Sequence, residues 1–410
     1  MAAVTENVSL PDIRLLAAAP HRFMFFVGAS NVLMAMLWWT VWLLDARFQW
    51  FAMPQPAIPA GWMHAIIMQY QVLPPFMFGF LLTVFPKWMN LPALSRWHYV
   101  PVGVGLFGGQ LLTLIGLFGF PHLLHIGLMQ TTAGWIAGLI FLLTLLWKEK
   151  QTTWHAISCA TALSLGLTGL LLVLAYSYTG NARLMFAAIK FGSFGLLLPM
   201  YFTVCHRMLP FFASVVIPGY KMVRPLWALA LFWCLILLHL SLELMHGYAW
   251  LWLPDIALVV LTSYLLWQWR LQKAEAPALL KVLMVGFAWL PIAMSLYAIQ
   301  SAWFIGTGEF ILARAPAHAL FVGFFGSLLV AMVTRVTRGH SGRPLELGRV
   351  AAFAFIVIQI TAVLRVVAEV LPDALLWQGV AGILWLLAFV PWVFRSSWIY
   401  LTPRVDGQAG

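Results

Sequence analysis

The chain repeatedly runs for about 20 residues without a charge, the length that crosses the hydrocarbon core of a bilayer. The stretch between Arg314 and Arg335 is one such run, and 123–147 is another. In lipid every backbone N–H and C=O must be bonded within the protein, so only helices and closed barrels can span it. Barrel strands would alternate apolar and polar residues with period two. These runs are continuous Leu, Ile, Val, Phe and Ala, which predicts helices. Only 9% of the residues are charged, against about a quarter in soluble domains, so a soluble fold is excluded.

The pattern predicts an all-α, polytopic membrane helix bundle forming a single transmembrane domain over residues 1–410. Its twelve spans are placed near 23–44, 64–86, 99–118, 123–147, 155–178, 184–205, 226–245, 250–269, 281–304, 315–334, 350–370 and 374–394. Pro74-Pro75 should kink or unwind the second span, because proline removes a donor and clashes with the preceding turn. The first span is too long for a signal-peptide core and lacks a small-residue cleavage site, so it is read as an anchor. No internal repeat or separate soluble domain stands out.

A formal net charge of +11 could suggest nucleic acid, but the distribution points to topology instead. With an internal N-terminus, only Arg47, Arg183 and Arg314 of the 23 Lys and Arg fall in external loops, while Lys190 and Arg365 fall within spans. All the others, Lys273 included, fall on the internal side, as expected where cytoplasmic loops are enriched in Lys and Arg. Both termini are therefore expected in the cytoplasm, and the Arg335–Arg343 cluster is expected to be an inner loop. The cysteines Cys159, Cys205 and Cys234 lack CxxC spacing, so neither a disulfide framework nor a zinc site follows. The 22 tryptophans are read mainly as interface-belt residues.

Ionisable side chains inside a bilayer are costly and usually functional. With this orientation they gather in the outer half. His64 opens the second span, His122 and His125 the fourth, and His318 the tenth. His239, Glu243 and His246 share one face near the outer end of the seventh span. Asp255 starts the eighth span, and Arg365 with Glu369 forms an i,i+4 pair in the eleventh. A lone histidine at a helix end usually sits among lipid headgroups, which is the default for His122 and His246. Lys190 is expected to reach outward to the surface. Three chemistries could use neutral imidazoles gathered between helices: haem ligation, copper ligation and an Asp/Glu/His proton relay. Composition does not choose among them.

His318-Ala319-Leu320, followed by Gly323, Gly326, Met332, Arg335 and then Gly339-His340-Ser341-Gly342-Arg343-Pro344-Leu345, resembles the signature of the NnrS family. Gly79-Phe80-Leu81-Leu82-Thr83 with Pro86 and Trp88 is similar to that family's second span, and Arg207-Met208-Leu209-Pro210-Phe211-Phe212 is a weaker third match. The resemblance implies a bacterial inner-membrane protein that contains haem and copper and is linked to nitric oxide metabolism, denitrification and protection from nitrosative stress. One departure stands out. Where the family's second span usually opens Trp-His-Ala-His-Glu-Met, this chain has His64 in the first histidine's place but Ile66 and Ile67 in place of the second histidine and the glutamate. The departure removes two possible metal ligands or proton carriers from one turn.

The expectation is a haem protein, of b type, with its metal chemistry in the outer half and copper as a second metal. His64 and His318 lead as haem ligands, and His239 and His125 follow as further ligands or partners of a second metal. His246 and His122 complete the metal candidates, Arg365 is a candidate for a propionate, and Glu243 for a proton carrier or an orienting partner of a histidine. His340 and Arg335 mark the inner side, as a turn, a second polar site or a docking surface. The expected partners are the lipid bilayer and a small diatomic such as nitric oxide, with no nucleic acid. A secondary transporter of a small solute and a quinol-linked electron-transfer subunit are the rival readings, and whether the chain is an enzyme stays open.

Overall fold

The computed structural model describes residues 10–271 and 276–408, so Lys273 lies outside the described residues. Among them, no strand occurs and twelve helices are long and apolar enough to cross a membrane. They are α1 (Pro20–Phe48), α2 (Ala60–Trp88), α3 (Arg96–Gly116), α4 (Pro121–Lys148), α5 (Trp154–Thr179) and α6 (Ala182–Val216). Then follow α7 (Leu226–Leu244), α8 (Tyr248–Gln268), α9 (Ala278–Thr307), α10 (Ala315–His340), α11 (Arg349–Val367) and α12 (Ala374–Tyr400). All twelve expected spans are present in order.

Successive helices pack as neighbours around the bundle, and α12 returns to pack along α1. Near the bundle centre stand α2 and α10, where 89% of the most apolar stretch is buried, against 33% in α12. Together with α1 and α6 they enclose an apolar cavity of about 60 Å³, whose wall includes Phe76, Met77, Met200, Cys205, Leu328 and Met332. Both ends of the described chain lie on one side: the Asp12 amide donates to the Leu401 carbonyl at 2.8 Å, and the Arg22 guanidinium donates to the carbonyls of Tyr400 and Thr402 at 2.9 Å each. That face is called the terminus side below, and its opposite the far side.

A π-helical segment, with one residue too many for a regular turn, interrupts α2 at Met68–Val72, α6 at Phe191–Leu197 and α10 at Ala319–Gly326. Such turns recur at functional sites. In α2 the cause is local. Pro75 has no N–H to offer the Gln71 carbonyl four residues earlier, and the Asn31 side-chain amide of α1 donates to that carbonyl instead, at 2.8 Å. The Gln71 side chain then donates to Thr113 of α3 and Thr131 of α4, at 2.9 Å each. Gln69, also in the α2 segment, donates to Ser193 in the α6 segment at 2.9 Å. The prolines thus divert the helix, as the sequence predicts, and polar side chains from neighbouring helices close the freed groups. The π segments recur at every fourth helix, a periodicity that residue identity does not reveal.

Two features depart from the sequence reading. The Arg335–Arg343 stretch is not all loop, since α10 continues to His340 and Arg335 is buried with its guanidinium 3.9 Å from the Phe212 ring centroid. Arg207 lies likewise over Trp88 at 4.2 Å. Aromatic faces that accept these cations let α6 and α10 run on past their apolar cores. The tryptophans, too, are not confined to a belt. Trp135, Trp269 and Trp392 are core residues whose indole N–H groups donate to the Leu163 carbonyl, the Val223 carbonyl and the Thr334 hydroxyl.

Candidate functional site

The far half of the bundle holds two clusters. The first draws on α1, α2, α10 and α11. His64 stands four residues before the α2 π segment, its ring stacked on Trp39 with centroids 4.3 Å apart and planes within 7°. Trp39 in turn stacks on Trp42 at 5.2 Å. Among the described residues neither nitrogen of His64 has a hydrogen-bond partner. His318 directly precedes the α10 π segment, and its Nδ1 lies 2.9 Å from the Arg314 carbonyl. A carbonyl only accepts, so Nδ1 carries the proton and Nε2 presents a lone pair. His64 and His318 lie within electrostatic reach of each other, and Arg365 and Arg314 within reach of both. Both imidazoles keep partial exposure, whereas Arg365 is buried and bonded to Glu369 as its spacing predicts.

The second cluster joins α6, α7, α8 and α9. Lys190 directly precedes the α6 π segment and donates to Glu243 at 2.8 Å. It therefore does not reach outward as expected, because a buried carboxylate on α7 offers a better partner than the headgroups. Glu243 Oε1 also lies 3.8 Å from Nε2 of His239, whose Nδ1 is 2.6 Å from Asp255. His239 and Asp255 have no solvent exposure, and the Phe194 ring covers the imidazole at 4.1 Å. Each π segment thus has a basic side chain on its far-side flank: His64, Lys190 and His318.

The other expected candidates stand elsewhere. His125 has its ring nitrogens 2.8 Å from the Pro121 carbonyl and 3.0 Å from the Ser177 carbonyl. His122 is exposed, and His246 is exposed with Nδ1 2.8 Å from the Tyr248 hydroxyl. None of the three joins His64 and His318. On the terminus side His340 ends α10, rather than lying within a turn, and its ring lies tilted against that of His21 with centroids 4.3 Å apart. Sequence reasoning missed the pairing of His155 with His206 across α5 and α6, where Nε2 and Nδ1 are 2.9 Å apart. It also missed Lys190 and Asp255 as parts of the His239 cluster. No spacing signals such contacts, because the partners come from different helices.

The NnrS family model, described as NnrS protein, matches residues 15–404. The chain belongs to the NnrS family. A search of the curated proteins finds no match. In this NnrS-family chain, Ile66 and Ile67 are fully packed in the apolar core. Among the described residues, no three His, Cys, Asp or Glu side chains are grouped as ligands of one metal ion. Haem makes a smaller demand, since the porphyrin supplies four nitrogens and the protein only the axial ligands. Two imidazoles within electrostatic reach of each other, with Nε2 of His318 unengaged and Arg365 within reach of both, suit that demand.

Proposed function

We propose that this NnrS-family protein binds haem through His64 and His318 in a bacterial inner membrane, and acts in nitric oxide metabolism or protection from nitrosative stress. Family membership supports the nitric-oxide-related membrane role. The observation that carries the ligand assignment is the Arg314 carbonyl on Nδ1 of His318. A histidine held through one nitrogen presents the other as a fixed, basic donor, the usual arrangement behind metal-bound imidazole.

Bound haem would supply an iron that takes small diatomic ligands and changes redox state. The chain's own residues orient and shield. Trp39 fixes the plane of the His64 ring by stacking, and Trp42 backs it. Arg365 keeps donors beyond the one given to Glu369, since a guanidinium has five, and these suit a propionate. Nitric oxide is neutral and reaches the site through lipid, so no polar channel is needed. No role is assigned to copper.

Purification in mild detergent, oxidised and reduced absorption spectra, and iron and copper analysis test this reading. The expected result is a haem b spectrum with iron and no stoichiometric copper. A colourless preparation from haem-replete cells contradicts it and favours a solute carrier.

A further inference from the structure

The His239 cluster has features that an ion pair alone does not explain. Three of its polar atoms, Nε2 of His239, Oε2 of Glu243 and Oδ2 of Asp255, are buried without a hydrogen-bond partner. Buried polar atoms are normally satisfied, and unsatisfied ones in a membrane interior are expensive. Beside them opens a cavity of about 250 Å³ on the far side, lined by Lys190, Glu243, Tyr248, Tyr297, Ser301 and Arg314 among others. It is polar and roomy enough for water. The groups therefore form a graded series. Lys190 and Glu243 border the cavity, and His239 stands 3.8 Å behind Glu243. Asp255 lies 2.6 Å behind His239, with both fully enclosed.

We propose that Glu243, His239 and Asp255 form a proton-exchange site that communicates with the far-side aqueous phase through this cavity. The charges balance around one mobile proton. With that proton bound, His239 is an imidazolium beside the Asp255 carboxylate, and Glu243 is a carboxylate beside the Lys190 ammonium, so the quartet is neutral. In release, the 3.8 Å gap closes to hydrogen-bond length or is bridged by one water, the Nε2–H of His239 passes its proton to Glu243, and the Glu243 carboxyl then gives it to cavity water as hydronium. His239 is left neutral, with its Nδ1–H still donated to Asp255, and the quartet carries one negative charge. Uptake is the reverse. The charged or titratable groups facing the quartet are Tyr297 from α9, Tyr248 at the start of α8 and Arg314 before α10. His246 touches Tyr248 at the cavity edge. Glu243 lies between the cavity and His239, which makes it the transient carrier, and the enclosed His239–Asp255 pair is the place where the proton stays.

This proposal does not depend on haem. Infrared difference spectroscopy between neutral and alkaline pH on the detergent-purified full chain tests it. Wild type should show imidazole and carboxylate bands that titrate together, shift in D2O and equilibrate within the mixing time. Asp255→Asn and His239→Gln should each abolish the coupled signal. Glu243→Gln should keep it and slow its equilibration by tenfold or more, because only the carrier is lost. Absence of any D2O-sensitive titrating band in wild type overturns the proposal without recourse to a variant. So does a signal unchanged in Asp255→Asn, or equilibration as fast in Glu243→Gln as in wild type.

Discussion

At the scale of single residues, the interior is organised around backbone groups that proline leaves open. Asn31 is the clearest case, since its amide closes the Gln71 carbonyl that Pro75 cannot serve. Asn31→Leu should cost about 1–3 kcal/mol, the penalty for a buried acceptor left unpaired, and should appear as a lower midpoint for thermal unfolding in detergent. Lys190→Met should cost about 3 kcal/mol in the same measurement, because it strands a buried carboxylate on Glu243. The far-half placement of His64 and His318 was legible in the sequence, since each opens an apolar run. Lys190 was visible as an embedded charge, yet its partner was not, because Glu243 lies in a different helix 53 residues away. Asp255 was likewise seen as a helix-start residue and found to be the anchor of His239.

At the scale of elements, small residues set how closely helices approach. The α3–α4 pair is held by glycines: a Cβ on Gly105 would lie 2.5 Å from the Gly134 Cα, and one on Gly127 the same distance from the Thr113 nitrogen. Close backbone approach through small residues is a common source of packing energy between membrane helices. Gly105→Val should therefore force the pair apart and cost about 1–3 kcal/mol, read as lost thermal stability and reduced yield of monodisperse protein. Span positions were readable because apolar runs of bilayer length leave few alternatives. The π segments were only half readable. Pro74-Pro75 announced a disturbance in α2, whereas in α10 the π turn follows Pro316 and His318 with nothing in the local pattern to specify its register. Helix ends were misjudged where Arg207 and Arg335 find aromatic faces on neighbouring helices, because a cation covered in this way no longer marks the edge of the membrane.

At the scale of the whole molecule, α2, α6 and α10 recur at intervals of four helices. Each is broken by a π segment with a basic side chain at its far-side flank. Two of these side chains are imidazoles near Arg365, and the third is an ammonium bound to Glu243. The same scaffold thus presents a candidate metal pair and a candidate proton site side by side in one half of the bundle. The charge distribution adds a direction. The terminus side carries most of the Lys and Arg, so a fluorescent reporter fused after residue 410 should mature and fluoresce in the bacterial cytoplasm, while a periplasm-dependent reporter there should be inactive. The opposite pattern would reverse the orientation and place both far-half clusters against the cytoplasm.

The most direct test of the central claim is the reduced-minus-oxidised absorption spectrum of purified His64→Ala and His318→Ala proteins beside wild type, with porphyrin quantified in each. Loss or displacement of the haem bands in both variants, with monodispersity retained, is the predicted result. Unaltered bands and full porphyrin content in both would contradict the account.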